Sequence, residues 1–442
     1  MKTTVVVGGG CSGALTTIHL SGPEDRVVLV DPSPEDTLGR GAAYRTTDPT
    51  HLLNSRAAAM SALADAPEDF LDWCRDQGLP IGPADFAPRK VFGDYLHDRL
   101  RRVGFEHVRG VATRLEAGPR SLRVVLRGGQ VVPADQVVLA LGHGAPAGPL
   151  AITSAVRTHP YYVGNPWTPG ALDRVPGDVP VLLIGTGLTA LDVAMSLSGR
   201  GRRAPLHAVS RRGLLPQPHL EAQPKATGSF AHAGSDAGGL LRAVRRYAAT
   251  EPDWRCAVDT LRPQLDRLWW QLSVDARRRL LQHVAAYWEV HRHRMAPTVA
   301  ARVAALRDSG ALFTHAAAIH SIRRGERGFV VTLRFRHKDE SWPVGAIVNC
   351  TGPGGAATGT LGRALLDDGL ARRDPTGTGL DVDGHGRLVD RDGVASDRIL
   401  AIGPTRRGAW WETTAVPEIR AQAAALAVRT RAAGPVRVPV AA

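Results

Sequence analysis

Short continuous runs of apolar residues recur along the chain and predict buried strands. Runs at residues 5–7 and 181–184 each lead into a glycine-rich turn and then into apolar positions at helical spacing. A second apolar run follows each helix, at residues 26–30 and 206–209. Strand, turn, helix and strand in this order are typical of parallel α/β units. The pattern therefore predicts an α/β fold with two Rossmann-like dinucleotide-binding domains.

Further apolar runs predict how the chain returns to its sheets. Strands that bring the chain back are expected at residues 135–142, 344–350 and 398–403. Shorter strands predict a β-meander, and they cover residues 108–117, 122–127 and 131–133. Proline and glycine are frequent over residues 146–180, which is a signature of a domain boundary.

The domain organisation follows from this boundary and from helical spacing of apolar positions between residues 236 and 309. We predict that residues 1–150 form the first part of one domain. Residues 151–345 form a second domain with a helical insertion at about 236–309. Residues 346–442 complete the first domain.

The first glycine turn has the spacing G-x-G-x-x-G, at Gly8, Gly10 and Gly13. Gly8 permits a tight turn, Gly10 lets the backbone approach a pyrophosphate, and Gly13 lets the helix pack closely on the strand. Free N–H groups at the start of that helix favour negative charge. The next strand ends in Asp31, close to the offset of an acid that binds a ribose 2′-OH. This motif predicts a site for FAD or NAD.

The second glycine turn repeats the spacing at Gly185, Gly187 and Ala190, but its following strand ends in Ser210-Arg211-Arg212. Guanidinium groups bind phosphate well, so this replacement of the acid favours NADPH, which carries a 2′-phosphate. NADPH at the second site leaves the first site for FAD. The alternative is that Arg211 and Arg212 form a solvated surface pair.

Composition excludes several classes of protein. The net charge of +13 comes almost entirely from arginine, and the chain has no basic repeat, so nucleic-acid binding is not favoured. Its four cysteines form no C-x-x-C pair, which argues against a disulfide framework, a zinc site and a redox-active dithiol. The sequence contains no run of 18 apolar residues, so no membrane span is predicted. The glycines near the N-terminus argue against a signal peptide, and we expect a cytoplasmic protein.

These pieces together resemble the two-dinucleotide-binding flavoproteins, in which an NADPH domain interrupts an FAD domain. Flavin-containing, N-hydroxylating and Baeyer–Villiger monooxygenases and pyridine-nucleotide disulfide reductases share that architecture. More specifically, the chain is similar to a bacterial family of FAD/NAD(P)-binding proteins that is itself similar to flavin-dependent amino-acid N-hydroxylases, which are class B-like flavin monooxygenases. This resemblance rests on residues 41–44, 51–54, 60–61, 86–89, 95–96 and 291–294. The Baeyer–Villiger segment F-x-G-x-x-x-H-x-x-x-W is reduced to His159 followed by tyrosines, which argues against that chemistry.

The resemblance implies an FAD- and NADPH-dependent monooxygenase that N-hydroxylates a small amine or amino acid in a biosynthetic pathway, with O₂, through a C4a-hydroperoxyflavin. The alternative is an FAD-dependent NAD(P)H dehydrogenase or reductase without oxygen transfer. Two complete dinucleotide motifs disfavour a non-enzymatic binding protein. His291 and His293 do not share a helix face, so no metal is expected. We expect no nucleic-acid or membrane partner, and the oligomeric state is left open.

Candidate residues follow from this interpretation. Asn54 is the candidate for a hydrogen bond to the flavin ring or peroxide, with a backbone-capping role as the alternative. His51 is a candidate proton relay, although a structural role is favoured. A substrate carboxylate would need an arginine, and Arg45, Arg292 and Arg294 remain open choices. The residues expected to contact the cofactors are Gly8, Gly10, Cys11, Ser12, Gly13, Asp31, Pro32, Arg40, Tyr44, Leu53, Asn54, Gly142, Gly185, Gly187, Leu188, Thr189, Ser210, Arg211, Arg212, Gly352, Gly403 and Trp411.

Overall fold

Two parallel sheets organise the chain in the computed structural model. The structure describes residues 2–432 except 120, 147, 150, 223, 225–227, 229, 232–233 and 353. The last ten residues of the third predicted segment, 433–442, therefore lie outside the described residues. The α/β fold with two Rossmann-like units, predicted from the apolar runs, is confirmed.

The described strands are, in chain order, β1 (Thr3–Val7), β2 (Arg26–Asp31), β3 (Glu106–Arg109), β4 (Ala112–Ala117), β5 (Leu122–Leu126), β6 (Val131–Ala134), β7 (Gln136–Leu139), β8 (Tyr162–Val163), β9 (Val181–Ile184), β10 (Leu206–Ser210), β11 (Leu312–Ala316), β12 (Ala318–Gly325), β13 (Gly328–Arg334), β14 (Asp339–Val344), β15 (Ala346–Asn349), β16 (Arg387–Val389) and β17 (Ala395–Ala401).

The described helices are, in chain order, α1 (Cys11–Leu20), α2 (Gly41–Tyr44), α3 (Asp69–Asp76), α4 (Arg89–Arg101), α5 (Ser154–Arg157), α6 (Leu188–Ser198), α7 (Ala237–Ala248), α8 (Trp254–Leu261), α9 (Leu265–Gln271), α10 (Val274–His283), α11 (Ala285–Arg292), α12 (Pro297–Asp308), α13 (Thr360–Asp367) and α14 (Val416–Ala432).

The first sheet has the order β16-β17-β7-β1-β2-β3, and only β16 runs antiparallel to its neighbour. Its central strands are buried on both faces, which explains their continuous β-branched runs. Val6 packs on one face with Leu15 of α1 and Leu426 of α14. Val5 packs on the other face with Leu365 of α13. This sheet combines strands from both ends of the chain, so the second unit is inserted into the first.

The second sheet has the order β11-β10-β9-β15-β8, and all of its strands are parallel. Helices α6 and α12 contribute apolar side chains to one face. Because β15 pairs with β9, residues 346–349 belong to this second unit. The predicted boundary at residue 345 is therefore wrong, since strand pairing carries the unit on to Asn349.

Two small antiparallel sheets pack against the parallel ones, in the orders β4-β5-β6 and β12-β13-β14. The predicted strand at residues 108–117 is wrong as one element. Its first part belongs to β3, which pairs with β2, and its second part belongs to β4, which pairs with β5. The break falls at Gly110, where the chain passes from the parallel sheet to the meander.

Helices α7 to α12 occupy the stretch predicted as a helical insertion. The side chains of α7 to α10 pack into a separate apolar core around Leu261, Leu268 and Trp269. Trp411, from the C-terminal part of the chain, packs against this core and joins the insertion to the first unit. Among the described residues, no helix combines the length and apolar character needed to cross a lipid bilayer.

Candidate active site

Close backbone contacts leave no room for a side chain at two glycines of the first turn. Gly8 has a φ of 108°, and a Cβ placed there would lie 2.3 Å from the Ala140 carbonyl oxygen. A Cβ on Gly13 would lie only 1.7 Å from the Gly8 carbonyl oxygen. Since these atoms belong to backbone, no side-chain movement could relieve the overlap. The spacing thus serves the tight turn and the close helix packing that the sequence predicts.

The N-terminus of α1 is built as an open anion site. Gly10 caps the helix without a side-chain hydrogen bond, and the first turn has no acidic residue. The first N–H groups of an α-helix lack partners within the helix, and the helix dipole favours negative charge there. Gly403, with a φ of 62°, lies beside it, because a Cβ there would be 2.3 Å from Ser12 Oγ. The two ends of the chain thus meet at the predicted pyrophosphate position.

Asp31 ends β2 beside the first glycine turn. Its carboxylate accepts hydrogen bonds from the backbone N–H of Gly9 at 2.6 Å and of Ser33 at 2.8 Å. The neighbouring Pro32 carbonyl accepts from Arg109 Nε at 3.2 Å. Asp31 therefore holds the turn in place at the position predicted for a ribose hydroxyl.

The segment that includes α2 packs over the same turn. A Cβ on Gly10 would lie 3.4 Å from the Gly41 Cα, so this segment contacts the turn directly. Tyr44 packs edge-on against Phe92, with ring centroids 4.8 Å apart. Arg40 pairs with Asp94 at 3.0 Å, and its Nε is buried without an acceptor in the described structure. Arg40 and Tyr44 thus belong to the segment that packs on the first glycine turn, and Arg40 also lines a cavity of about 340 Å³ with Arg45 and His51.

Leu53 and Asn54 lie in a loop between the two units. Leu53 is buried in the first core, and its backbone N–H donates to the Ala87 carbonyl at 2.8 Å. The Asn54 carbonyl accepts from His219 Nε2 of the second unit at 3.1 Å. The roles proposed for their side chains stay predictions.

Cys11, at the first position of α1, is a free thiol. Burial raises its pKa to about 12, so it is protonated at neutral pH. Cys74, Cys256 and Cys350 are likewise free and buried. The four cysteines are thus unbridged, and they lie in or next to four different elements, α1, α3, α8 and β15.

The second glycine turn follows the geometry of the first. Gly185 has a φ of 123°, and a Cβ there would lie 2.3 Å from the Cys350 carbonyl oxygen. Gly187 caps α6 without a side-chain hydrogen bond and has open space around its Cα. Leu188 and Thr189 form the first turn of α6, which contains no acidic residue. This helix N-terminus is a second site for a phosphate group.

The residues after β10 separate into different roles. Ser210 Oγ lies 2.8 Å from Thr186 Oγ1 and accepts from the Gly213 N–H at 3.0 Å, so it braces the turn. Arg211 is exposed and lines a cavity of about 530 Å³ beside Gly185, which we call the nucleotide cavity. Arg212 points elsewhere, since it donates to the Gln282 carbonyl at 3.3 Å. Of the two arginines, Arg211 is therefore the one that lines the nucleotide cavity.

A second cavity of about 510 Å³ lies where the two units and the insertion meet, and we call it the junction cavity. It shares Thr351, Gly352 and Gly354 with the nucleotide cavity. Gly144 and Gly354 exchange backbone hydrogen bonds of 2.8 and 2.9 Å, which holds the two connections between the units together. The cavities therefore adjoin at the point where the chain passes between the units.

Three tryptophans form part of the wall of the junction cavity. Trp269 of α9, Trp410 and Trp411 line it, and Trp269 and Trp411 lie 4.7 Å apart between ring centroids. Gly352, which has a φ of 84°, and His143 complete its edge between the units. Predicted residue Gly142 has a φ of 61° and immediately precedes His143. A cavity of this size and lining suits a small molecule or part of a cofactor.

One ion pair in this cavity was not identified from the sequence. Arg407 Nη2 lies 2.5 Å from Glu289 Oε1, and Glu289 Oε2 lies 2.6 Å from His293 Nδ1. Burial raises the pKa of Glu289, but the hydrogen bond from His293 and the charges of His293 and Arg407 outweigh it and bring the pKa to about 2. Glu289 and Arg407 are separated by 118 positions, so no local spacing signals their contact.

The candidate carboxylate-binding arginines lie outside this cavity. Arg292 is buried and its Nε donates to Glu412 at 3.1 Å, while Arg294 pairs with Asp259. Arg45 lines a different cavity of about 340 Å³, next to His51. Arg292 and Arg294 are both buried and paired with acidic side chains, and neither lines the junction cavity. Their role as substrate ligands stays a prediction that these contacts do not favour.

His51 joins the first unit to α6 of the second. Its Nδ1 lies 2.7 Å from Thr46 Oγ1, and its Nε2 lies 2.9 Å from Ser196 Oγ. Nearby, Arg89 pairs with Asp192 of α6 at 2.8 Å. Both ring nitrogens are therefore engaged, which fits the structural role favoured for His51. Within the described residues, no cluster of three or more histidine, cysteine or acidic side chains could hold a metal ion.

Asp266 supports the loop that carries Trp410 and Trp411. Its Oδ1 accepts from the Glu412 backbone N–H at 3.0 Å. Burial, assisted by the charge of Glu412, raises the pKa of Asp266 to about 6. Between about pH 4 and pH 6 the folded state therefore holds a proton that the unfolded chain has released. The contribution of protonated Asp266 to the free energy of unfolding is therefore complete below about pH 4, and it is lost as the pH rises through about 6.

We expect Asp266→Asn to remove this pH dependence, because the amide oxygen keeps the hydrogen bond and does not ionise. The free energy of unfolding of the wild type should fall relative to the variant by about 2 kcal/mol between pH 4 and pH 7. Urea denaturation across that range measures the difference. Asp275→Asn, at an exposed position of α10, is the control and should leave the slope unchanged. If the free energy of unfolding differs between wild type and variant by the same amount at every pH, the pKa of Asp266 is not raised by folding.

The fold and these sites define a class, an α/β protein with two Rossmann-like units, each of which has a glycine turn before a helix N-terminus. Residues 5–144 match the family described as FAD-NAD(P)-binding. The match covers the first glycine turn, Asp31 and the strand that leads to Gly142.

Particular proteins of known structure share the whole fold. The L-lysine 6-monooxygenase of Pseudomonas syringae is 19% identical, with a TM-score of 0.68 over 98% of this chain and 100% of that one. The cadaverine monooxygenase of Erwinia amylovora is 13% identical, with a TM-score of 0.65 over 96% and 92%. At these identities the likeness shows the fold.

A nitrosuccinic acid synthase of Aspergillus oryzae is similar in sequence. It is 27% identical over 223 residues, which cover 43% of this chain and 32% of the relative. The chain thus aligns with about a third of the length of this curated relative.

Proposed function

We propose that this protein is an FAD- and NADPH-dependent monooxygenase that N-hydroxylates a small amine or amino acid. One observation carries the proposal: the start of α1 lies beside Gly403, next to Pro404 of the junction cavity, and the turn before α6 borders the nucleotide cavity, which adjoins it. Structural neighbours that hydroxylate lysine or cadaverine share this arrangement of domains. The alternative, a dehydrogenase or reductase without oxygen transfer, has weaker support, since the thioredoxin reductases that share the fold have TM-scores of only 0.54 and 0.55.

The residues present fit both cofactors. The FAD pyrophosphate would lie on the N-terminus of α1 between Gly10 and Gly403, with Asp31 at the ribose. NADPH would lie on the N-terminus of α6, with its 2′-phosphate at Arg211. When bound, FAD would take hydride from NADPH and activate O₂. The protein must therefore bind and orient the cofactors and the substrate, and it must exclude water.

Several groups of the chain would serve that chemistry. The three tryptophans of the junction cavity would exclude water from the reacting atoms. Gln422 of α14 accepts from the Gly403 N–H at 2.9 Å and donates to Thr413 at 3.0 Å, which ties the start of α14 to the first site. We propose that this helix N-terminus stabilises negative charge on the reduced ring. Asn54 would supply a side-chain amide hydrogen bond, and this assignment also rests on the proposed function.

The test is to purify the protein, measure bound FAD, and follow NADPH oxidation with a panel of amines and amino acids. We expect one or more of them to raise the rate of NADPH oxidation and to yield a hydroxylamine with little H₂O₂. Flavin reduction by NADPH without any hydroxylated product would support the dehydrogenase and overturn the proposal.

A further inference from the structure

Arg407 stands out among the groups that the proposed function leaves without a role. It lies in the loop after β17 and its side chain is about half exposed (47%) where it lines the junction cavity. The phosphates of both cofactors are assigned to α1, α6 and Arg211. Arg407 and Glu289 are the arginine and the carboxylate among the residues that line this cavity, which also contains three tryptophans.

The backbone holds Arg407 rigidly. Its N–H donates to the Pro404 carbonyl at 3.1 Å. A Cβ on Gly379 would lie 2.0 Å from the Arg407 carbonyl oxygen, so the chain packs closely there. Gly408 follows with a φ of 118°, against Asp374. The backbone of Arg407 is therefore held in place, and the ion pair with Glu289 restricts its side chain, which lowers the entropy lost when the guanidinium binds a ligand.

Among the described residues, Glu289 accepts a hydrogen bond from one edge of the Arg407 guanidinium. Nη2 pairs with Glu289, which His293 holds from the other side. Within the described chain, no residue accepts a hydrogen bond from Arg407 Nε or Nη1. Arginine carries five N–H donors in a planar fork, so a second carboxylate can bind while Glu289 stays in place. By contrast, Arg292 is buried, with 4% of its surface exposed, and it does not line the junction cavity.

We propose that Arg407 binds the carboxylate of the substrate, which makes the substrate an amino acid and not a simple amine. This inference rests on the proposed function and narrows it. Glu289 orients the guanidinium, and the amine of the substrate extends into the aromatic part of the cavity. A diamine would place a second ammonium near Arg407 and be repelled by it.

The test uses the FAD-loaded protein and matched ligand pairs: lysine with cadaverine, ornithine with putrescine, and each of the other common amino acids with its methyl ester. Binding is followed by perturbation of the flavin absorbance, and turnover by hydroxylamine formation. We expect a free amino acid to bind and react, and its partner without a carboxylate to bind at least 10-fold more weakly. Arg407→Ala should raise the Kd and KM for that amino acid about 10-fold or more, and Arg407→Lys should restore part of the loss.

Arg278→Ala is the matched control, because Arg278 is an exposed arginine of the same insertion that pairs with Asp275. It should leave Kd and KM unchanged. Hydroxylation of an amine that has no carboxylate, or equal affinities for Arg407→Ala and the wild type, would overturn this inference while the proposed function stands. Flavin reduction with no hydroxylation of any ligand would overturn both.

Discussion

Replacing Gly13 with alanine is expected to abolish FAD binding and to destabilise the first unit by about 4 kcal/mol or more. The new Cβ would lie 1.7 Å from the Gly8 carbonyl oxygen, and both atoms belong to the tightly packed turn between β1 and α1. Relief requires the helix to move away from the sheet, which opens the buried core and misplaces the N–H groups at the pyrophosphate. The ratio of flavin to protein absorbance and urea denaturation measure the two effects.

Gly104→Ala is the control for that change. Gly104 lies in the same unit, and among the described residues no atom would lie within 4 Å of a Cβ placed there. Alanine at this position should therefore change stability by less than about 1 kcal/mol. If Gly13→Ala retains a full complement of flavin and the wild-type denaturation midpoint, the first turn does not have the role assigned to it.

Replacing Arg211 with alanine is expected to cost the enzyme its preference for NADPH over NADH. A hydrogen bond from a guanidinium to phosphate contributes about 1.5–3 kcal/mol, so KM for NADPH should rise about 10- to 100-fold while KM for NADH changes little. Arg211 is the exposed arginine that lines the nucleotide cavity. Rates of anaerobic flavin reduction with each nucleotide measure the change.

Arg212→Ala provides the matched comparison one position along the chain. Its guanidinium donates to the Gln282 carbonyl and stacks over Tyr287, 5.5 Å from the ring centroid. We expect less than about a threefold change in the NADPH preference. Equal losses in both variants, or none in Arg211→Ala, would show that the phosphate is bound elsewhere.

The fold could be predicted from the sequence because its determinants are local. Each glycine turn joins a strand and a helix that adjoin in the chain, and the backbone contacts of Gly8 and Gly185 leave little choice of residue. The insertion was predictable because helical spacing repeats over many turns. Strand pairing is not local, which explains why residues 108–117 divide between two sheets and why β15 belongs to the second unit.

The candidate site was predictable only where it follows a motif. Arg211 stands next to the second strand of its unit, so its role follows from position. The partners of Arg292 and Arg407 lie 120 and 118 positions away in the chain. Both arginines lie near aromatic residues in the sequence. Only the tertiary structure shows that Arg292 forms a buried ion pair with Glu412, whereas the ion pair of Arg407 with Glu289 is accessible from the cavity.

The most direct test of the central claim is the fate of ¹⁸O₂. In a reaction of the FAD-loaded protein with NADPH and its substrate amino acid, we predict one ¹⁸O atom in the hydroxylated nitrogen product for each NADPH consumed. Label that appears only in H₂O₂, with the substrate recovered unchanged, would contradict oxygen transfer and identify an oxidase or dehydrogenase.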